Sequence, residues 1–325
     1  MNITATAVDN KFSHPEILIL TLHIFKISML TIDPKEIKTP VLHSYLLSAV
    51  APRPIAFAST IDANGTPNLS PFSFFNVFSA NPPIAIFSPA LSGRTGLPKH
   101  TYENVKEVPE VVINVVNYNI VQQASLSSTE YAKGVNEFEK AGLTPLKSEL
   151  VKPYRVKESP AQLECKVKQV IELRTQGGAG NLIICEVVLM HISEDVLDEN
   201  KMIDPRKIDL VARLGGNWYS RTNAGSLFEV TKPILNLGIG IDQIPEHIRT
   251  SSVLTGNNLG QLGNVEKTPT TEEVISYKNS AAMTEALKTY GNTGAKGKEV
   301  HNAAKGLLDH GKVEEAWKIL LSEKV

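Results

Sequence analysis

Six segments between residues 55 and 192 have the pattern of β-strands, and they constrain the fold of this chain more than any other feature. Several are rich in β-branched and small apolar residues, one is dense in Phe and Ser, and turn signals lie between them. They cover residues 55–61, 68–78, 84–88, 111–118, 162–174 and 182–192. Helical patterns between them are confined to residues 99–108 and 121–127. Many strands with hairpin-like connections predict a mainly β fold, an antiparallel barrel with peripheral helices, rather than alternating βαβ units.

Turn residues mark where the predicted strands reverse. Asp-Ala-Asn-Gly at residues 62–65 is typical of a hairpin turn. Pro71, inside the second predicted strand, indicates an edge strand, a bulge or a strand start. Gly-Gly-Ala-Gly at residues 177–180 is no dinucleotide-binding fingerprint, because a strand and not a helix follows it. It predicts a hairpin loop.

The strand pattern fades after Pro233, and a helical tail closes the chain. Thr270 and Glu273 fit a capping box that opens one helix, and apolar spacing predicts two more over residues 298–308 and 313–322. Before Thr271 the tail is rich in Gly, Asn and Thr and is predicted as loop. The simplest account packs this tail on the barrel or on a second subunit.

We divide the chain into three parts. Residues 1–28 are interpreted as a non-native or flexible leader, because Met29 begins a natural-looking start and the stretch before it differs in composition. Residues 29–228 form the predicted barrel domain. Residues 229–325 form a C-terminal extension, loop then helices.

Composition excludes several classes of protein. The formal net charge of −1 argues against a strongly basic nucleic-acid binder. The longest apolar run, residues 17–24, is too short to cross a bilayer. Cys165 and Cys185 are too few for a disulfide framework and are expected as small apolar residues in strands of a reduced, cytoplasmic protein. Scattered histidines and the lack of a GxSxG elbow predict neither a metal site nor a catalytic side chain.

The segment from Arg53 to Pro89 carries the most chemical information. It interleaves hydroxyls and one amide with clustered phenylalanines. These polar residues are Ser59, Thr60, Ser70, Ser73, Asn76 and Ser88. Such a mixture suits a ligand that is flat at one end and anionic at the other. A Phe-rich barrel core with polar residues on the wet face explains the same pattern.

Four ordered motifs add to this pattern. They are Arg53-Pro-Ile with Asn68-Leu-Ser-Pro-Phe-Ser-Phe-Phe-Asn76; Lys99-His-Thr101-Tyr-Glu-Asn104; Gly134-Val-Asn-Glu-Phe138 with Glu158-Ser-Pro-Ala161; and Arg213-Leu-Gly-Gly-Asn-Trp-Tyr219. In this order and spacing, residues 30–228 resemble the flavin reductase-like family. That family comprises FMN-binding split barrels and includes flavoredoxin and the reductase components of two-component monooxygenases.

The resemblance implies a split-barrel homodimer that binds FMN non-covalently near the subunit interface. Flavin and ribityl contacts are implied for Ser73, Phe74, Phe75 and Asn76, with Ser59 and Ser88 on neighbouring strands. It implies that Lys99 and Thr101 hold the phosphate, which is physically reasonable because a helix N-terminus favours anions. His100 departs from the Asp of many relatives, and a phosphate-side role and an incidental exposed position both stay open for it.

The Arg213–Tyr219 motif has two interpretations. The resemblance implies that Arg213, Trp218 and Tyr219 lie near the open face of the flavin, on the substrate side. Packing of Trp218 and Tyr219 in a subunit interface explains the motif equally well.

Two functions follow from the resemblance. The first is an NAD(P)H-dependent FMN oxidoreductase, with NADH or NADPH as electron donor and a monooxygenase or other redox protein as possible partner. The alternative is a flavoredoxin-like electron-transfer protein that a protein partner reduces. A third reading, a pyridoxamine-phosphate-oxidase-like protein, matches the motifs less well.

Overall fold

A computed structural model describes residues 29–174, 176–233, 237–295 and 297–325. The expectation of a leader at residues 1–28 lies outside them. The chain divides into two compact units, of which one ends at Leu227 and the other runs from Phe228 to Val325.

Strands dominate the first unit. They are β1 (Ala56–Ile61), β2 (Pro67–Phe72), β3 (Phe75–Ala80), β4 (Pro83–Phe87), β5 (Glu110–Val115), β6 (Pro145–Leu146), β7 (Arg155–Val156), β8 (Ala161–Glu172), β9 (Asn181–Ile192), β10 (Val211–Arg213) and β11 (Tyr219–Arg221). Its helices are α1 (Thr39–Ala49), α2 (His100–Glu107), α3 (Val121–Leu126), α4 (Glu137–Ala141) and α5 (Pro205–Ile208).

Seven of these strands form one antiparallel sheet in the order β2-β1-β5-β8-β9-β4-β3. The two edge strands, β2 and β3, are consecutive in the chain. Phe72 and Phe75, which end and begin them, are at most about 11 Å apart along the backbone. The sheet must therefore roll up until its edges meet, which makes it a barrel. The rings of Phe72 on β2 and Phe87 on β4 lie 5.5 Å apart across this closure.

The inside of the barrel is filled by small and medium apolar side chains from its strands. They include Ala56, Ala58, Val111, Ile113, Leu163, Ile183 and both cysteines. Cys165 and Cys185 are buried and free, and burial raises the pKa of the Cys165 thiol to about 12. Both cysteines lie in strands, as the sequence predicts. Outside the sheet, α3 and α4 pack on the opposite face of β1 through residues such as Phe57 and Phe138.

The sequence-based strand assignment was wrong over residues 68–78. The single strand expected there is two strands, β2 and β3, which break at Ser73-Phe74 and lie at opposite edges of the sheet. Polar and apolar residues are mixed on both sides of the break, so the pattern carried no local signal of it. Pro71 lies in β2, an edge strand, where a missing N–H is tolerated. The glycine loop at 177–180 connects β8 and β9 as a hairpin, as predicted.

The second unit is helical and has its own core. Its helices are α6 (Glu246–Arg249), α7 (Gly256–Gly263), α8 (Thr271–Lys278), α9 (Ala281–Tyr290), α10 (Glu299–Asp309) and α11 (Val313–Leu321). The Trp317 side chain is fully buried at its centre, and its indole N–H donates to the Leu262 carbonyl at 3.1 Å. The buried His301 ring contacts Ser251 Oγ at 2.6 Å and Glu323 at 3.3 Å and so links three segments.

Some helices of this unit follow from the sequence and others do not. The capping box of Thr270 and Glu273 opens α8, and α10 and α11 match the two helices predicted after it. However, α6 and α7 lie in the part expected to be loop. Helix α7 begins with a capping box of Thr255 and Asn258, in which Asn replaces the usual Glu or Gln.

Candidate functional site

A cleft lies at the start of α2, and we call it the α2 cleft. Its volume is about 210 Å³. It is lined by Asn68 and Ser70 of β2, by Ser92, Thr95, Leu97 and Pro98, by Lys99, His100 and Thr101, by residues 127–131, and by Glu137. Lys99 is the N-cap of α2 and makes no side-chain capping bond, so the first N–H groups of the helix are left for an outside acceptor. Hydroxyls, a cation and a helix N-terminus together suit an anionic ligand.

Charged side chains lie at the mouth of the α2 cleft. Glu130 takes the Lys99 ammonium on Oε1 at 2.7 Å and the Arg94 guanidinium on Oε2 at 2.5 Å. These hydrogen bonds, that of Lys99 foremost, hold the pKa of Glu130 below its usual range. The carboxylate is therefore ionised at neutral pH and pairs with both cations.

A buried hydrogen-bond network fixes one wall of the cleft. The Asn68 amide donates to Thr101 Oγ1 at 2.9 Å, and the Asn104 amide donates to Thr60 Oγ1 at 3.1 Å. Because Thr101 accepts from Asn68, its own hydroxyl proton can be donated to a ligand. The sequence motif gave Thr101 a role but did not reveal this network.

Glu137, on the same cleft, is a buried carboxylate. It accepts the N–H of Leu69 at 3.0 Å and so attaches α4 to the edge strand β2. Burial raises the pKa of Glu137, against the smaller lowering effect of that hydrogen bond. His100, whose role was left open, lines the cleft beside these groups.

A second cleft lies beside the short β10–β11 hairpin, and we call it the hairpin cleft. Its volume is about 350 Å³. It is lined by Ile55, Pro71, Ser73, Val121, Ala124, Ser125, Ser128, Arg213, Asn217 and Tyr219. The Arg213 guanidinium lies 4.7 Å from the centre of the Tyr219 ring, within the range of a cation–π contact. This end of the site combines a cation with an aromatic ring.

Close packing against α1 constrains the turn of this hairpin. A Cβ added at Gly215 would lie 2.2 Å from Ser48 Oγ and 3.4 Å from Ser48 Cα. Only glycine allows this approach of the turn to the helix. Gly215 of the Arg213–Tyr219 motif thus lets the hairpin approach α1, while its neighbour Gly216 supplies a positive φ of 56° in the turn.

Arg53 connects the elements around the hairpin cleft, and its role was missed by sequence reasoning. Its buried guanidinium donates to the carbonyls of Leu47, Val50 (2.7 Å) and Leu214 (3.0 Å), and more weakly to Ser73 Oγ at 3.4 Å. Burial, with the nearby charge of Arg213, lowers the pKa of Arg53 from its very high ordinary value. Arg53 therefore ties the end of α1 to β10 and holds Ser73 at the cleft. The Arg-Pro-Ile motif contained the residue but gave no hint of its partners.

The two clefts are neighbours along β2, and together we call them the groove. Ser128 lines both of them, and the β2 side contributes Asn68 and Ser70 to the first and Pro71 and Ser73 to the second. One end of the groove carries Lys99, hydroxyls and helix N–H groups, and the other carries Arg213 and Tyr219. This arrangement suits an elongated ligand with an anionic end and a planar end.

The residues singled out from the sequence fall into two groups. Those that line the groove are Ser73, Lys99, Thr101, Arg213 and Tyr219. Those outside its lining are Ser59, Phe74, Phe75, Asn76, Ser88 and Trp218. The groove also contains Ser92, Thr95, Ser128, Glu130 and Glu137, which sequence reasoning did not identify as site residues.

The second group has varied surroundings. Phe75 packs against the barrel core, and Phe74 makes an edge contact with the ring of His43. Asn76 Oδ1 accepts the N–H of Val77 on the exposed side of β3, and Trp218 is 76% exposed. Ser88 is buried next to Gly180. Ser59 is fully buried in β1, and its Oγ has no hydrogen-bond partner among the described residues.

A comparison with protein families identifies the first unit. Residues 48–209 match the model of the flavin reductase like domain. A protein from Aquifex aeolicus is 36% identical over 185 residues, which cover 57% of this chain and 92% of that protein. BH2278 from Halalkalibacterium halodurans is 35% identical over 209 residues, 63% of this chain and 97% of the relative.

The chain belongs to the flavin reductase-like family. Nitrilotriacetate monooxygenase component B from Bacillus cereus has a similar structure, with a TM-score of 0.58 and 29% identity over 62% of this chain and 99% of that one. A flavin reductase-type structure with a split barrel domain, from Shewanella frigidimarina, gives a TM-score of 0.52 and 27% identity over 61% and 95%. The resemblance and the split-barrel fold expected from sequence are thus confirmed. The hairpin β10–β11 and the helical unit lie beyond the residues that match the family model.

Two features of the structure concern metal ions and membranes. The residues that the structure describes contain no group of three or more His, Cys, Asp or Glu side chains placed to hold a metal ion. Within those same ranges, no helix is long and apolar enough to span a bilayer.

Proposed function

We propose that this protein is an FMN-dependent oxidoreductase that accepts electrons from NADH or NADPH. The observation that carries the proposal is the pair of neighbouring clefts in a chain of the flavin reductase-like family. Its cationic, hydroxyl-lined end fits a phosphate, and its Arg213–Tyr219 end fits a planar ring system.

The groove residues fit FMN by their chemistry. Lys99, Thr101 and the first N–H groups of α2 would hold the phosphate, with the hydroxyls of Ser92 and Thr95 beside them. Ser73 and Arg213 would contact the flavin end. We expect FMN to bind more tightly than FAD, because the adenylate of FAD would have to be accommodated beside the donors that hold a terminal phosphate.

The protein's contribution to the reaction is binding and orientation. When bound, FMN supplies the redox chemistry, because it can take up hydride from a nicotinamide and pass the electrons on. That reaction requires no acid or base from a side chain at the reacting carbon. Arg53 donates hydrogen bonds to Ser73 and to the Leu214 carbonyl after β10, and these bonds fix the walls of the hairpin cleft. Lys99 and α2 fix the opposite end of the ligand, and two fixed ends set the position of the ring.

Purification and anaerobic titration test this proposal. The protein should carry FMN absorption, or gain it when FMN is added, and the bound flavin should bleach within seconds of adding NADH or NADPH. A protein that stays colourless in excess FMN overturns the proposal. Flavin that binds but is bleached by neither nucleotide overturns the proposal that NADH or NADPH is the electron donor. That result favours reduction by a protein partner.

We also propose that the protein acts as a homodimer. None of the residues of α1 is buried, although Val41, Tyr45 and Leu46 are apolar, and on the edge strand β3 Val77 and Phe78 are exposed. The His43–Phe74 contact joins these two apolar surfaces. A second copy would cover both, and an exposed edge strand is a surface that proteins usually cover. Light scattering should give twice the chain mass at micromolar concentration, and a monomer would contradict the proposal.

The electron acceptor is proposed from similarity to component B of a monooxygenase. We expect reduced flavin to be passed to an oxygenase component or another redox protein. A coupled assay, with reduction of the flavin in one protein and oxidation of substrate in the other, would test this transfer.

A further inference from the structure

Glu130 holds the two cations at the mouth of the α2 cleft. Each carboxylate oxygen takes one cation: Oε1 takes Lys99 at 2.7 Å and Oε2 takes Arg94 at 2.5 Å. The three side chains come from different segments, namely the loop before α2, the helix start and the loop after α3. In the part of the chain that the structure describes, Glu130 is the one ion-pair partner of the Lys99 ammonium.

A carboxylate in this position competes with a bound phosphate. Lys99 points its charge at Glu130, and the same cleft offers the hydroxyls and helix N–H groups that a phosphate would use. A phosphate dianion and the Glu130 carboxylate repel each other at close range. This repulsion favours an exchange in which Lys99 leaves Glu130 for the phosphate.

The exchange is feasible because the pairs are exposed. Glu130 is 45% exposed and Arg94 is 81% exposed, and ion pairs of this kind are weak. A phosphate carries more charge than a carboxylate and presents more acceptor oxygens, so it can replace Glu130 at both cations.

We propose that Glu130 is a specificity-determining residue of the flavin site: its carboxylate occupies Lys99 and Arg94 when no phosphate is bound, and it is displaced by the phosphate end of FMN. This inference rests on the proposed function. Its consequence is that FMN binds less tightly and leaves faster than the cations alone would allow. An exchangeable flavin suits a reductase that hands reduced flavin to a partner.

The variant Glu130→Gln tests the inference. The amide keeps the size of the side chain and removes its charge. We expect FMN affinity to rise about three- to tenfold, the range for releasing two exposed ion pairs, and FMN dissociation to slow accordingly. Riboflavin lacks the phosphate, so its affinity should stay within about twofold.

A matched control is Glu103→Gln. Glu103 is another exposed glutamate near the cleft, on α2 itself, and it pairs with Lys133 at 3.3 Å. Glu103→Gln changes the net charge by the same amount as Glu130→Gln, and Glu103 does not contact Lys99. We expect less than half the effect of Glu130→Gln on FMN affinity.

A double-mutant cycle gives a second readout. Lys99→Ala should weaken FMN binding more in the Glu130→Gln background than in the parent. In the parent, Lys99 gives up its ion pair with Glu130 when it contacts the phosphate, so its net contribution to FMN affinity is smaller. Equal losses in the two backgrounds contradict competition. A parent that binds FMN and a Glu130→Gln variant that binds it equally or more weakly overturn this inference alone. A parent that binds no FMN overturns the proposed function itself.

Discussion

Replacing Arg53 should disrupt the flavin end of the groove and leave the phosphate end in place. Arg53 is 6% exposed, and its guanidinium donates to three main-chain carbonyls and to Ser73. The variant Arg53→Met keeps much of the aliphatic stem and removes every donor. The carbonyls of Leu47, Val50 and Leu214 then lose their partner, and Ser73 is no longer held.

The cost can be estimated from these contacts. Hydrogen bonds to a charged group contribute about 1.5–3 kcal/mol each, but water can reach the exposed helix α1 and replace some of them. The variant also removes the repulsion between Arg53 and Arg213, which offsets a further part of the lost free energy of unfolding. We therefore expect the free energy of unfolding to fall by about 3–4 kcal/mol, which in a unit of this size lowers Tm by about 10 °C.

Ligand binding separates this effect from general destabilisation. At a temperature where the variant is folded, FMN and riboflavin should both bind about fivefold more weakly, because the lost Ser73 contact is at the shared flavin end. Calorimetry measures the unfolding and fluorescence quenching measures both flavins. Arg53→Lys should recover only part of each loss, since its ammonium does not reproduce the fork. An Arg53→Met variant that melts within about 2 °C of the parent and binds riboflavin normally would refute the reasoning.

Three other predictions concern different parts of the molecule. Lys99→Ala should weaken FMN binding about five- to fiftyfold and leave riboflavin unchanged, a smaller effect than for an unpaired lysine because Glu130 already holds the ammonium; equal loss for both flavins in titrations would contradict this. Trp317→Ala should cost the C-terminal unit about 3–5 kcal/mol in denaturant unfolding without changing FMN affinity, and a colourless variant would count against a groove confined to the first unit. Burial acts to raise the pKa of Glu164, but N–H groups of residues 149 and 150 and the His191 ring more than reverse this. Its folded-state pKa is lowered, so its stabilisation is present at neutral pH and is lost as pH falls below about 4; Glu164→Gln should destabilise at pH 7 and much less at pH 3.

Local sequence patterns predicted most of the fold. Apolar runs bounded by Gly, Pro and Asn predicted β1, β4, β8 and β9, and the Thr270–Glu273 pair predicted the start of α8. The break between β2 and β3 could not be predicted in this way. It depends on which strands each half pairs with, and both halves mix polar and apolar residues in a similar way. Helix α7 was missed because its sequence, Gly-Asn-Asn-Leu-Gly-Gln-Leu-Gly, has low helix propensity and depends on the packing of Leu262.

The candidate site likewise contains residues that the sequence could predict and residues that it could not. Lys99 and Thr101 could be found because a helix start with a cation and a hydroxyl is a local feature. The partners that determine how these residues act, Glu130 and Asn68, are 31 and 33 residues away along the chain. No spacing rule connects a loop glutamate with a lysine at that separation, so the competition for Lys99 could be inferred only from the structure.

The two ends of the groove can therefore be assigned by two ligands that differ in one group. In the proposed arrangement, a change at Lys99 or Glu130 acts on the phosphate, so it should alter FMN binding and spare riboflavin. A change at Arg53 would act through Ser73 on the proposed flavin end, so it should alter both by the same factor. If the two classes of variant gave the same pattern, the α2 cleft and the hairpin cleft would not hold opposite ends of one ligand. That both clefts are lined by Ser128 would then have no functional meaning. The ratio of FMN to riboflavin affinity across these variants is thus a direct test of how the flavin lies along the two clefts.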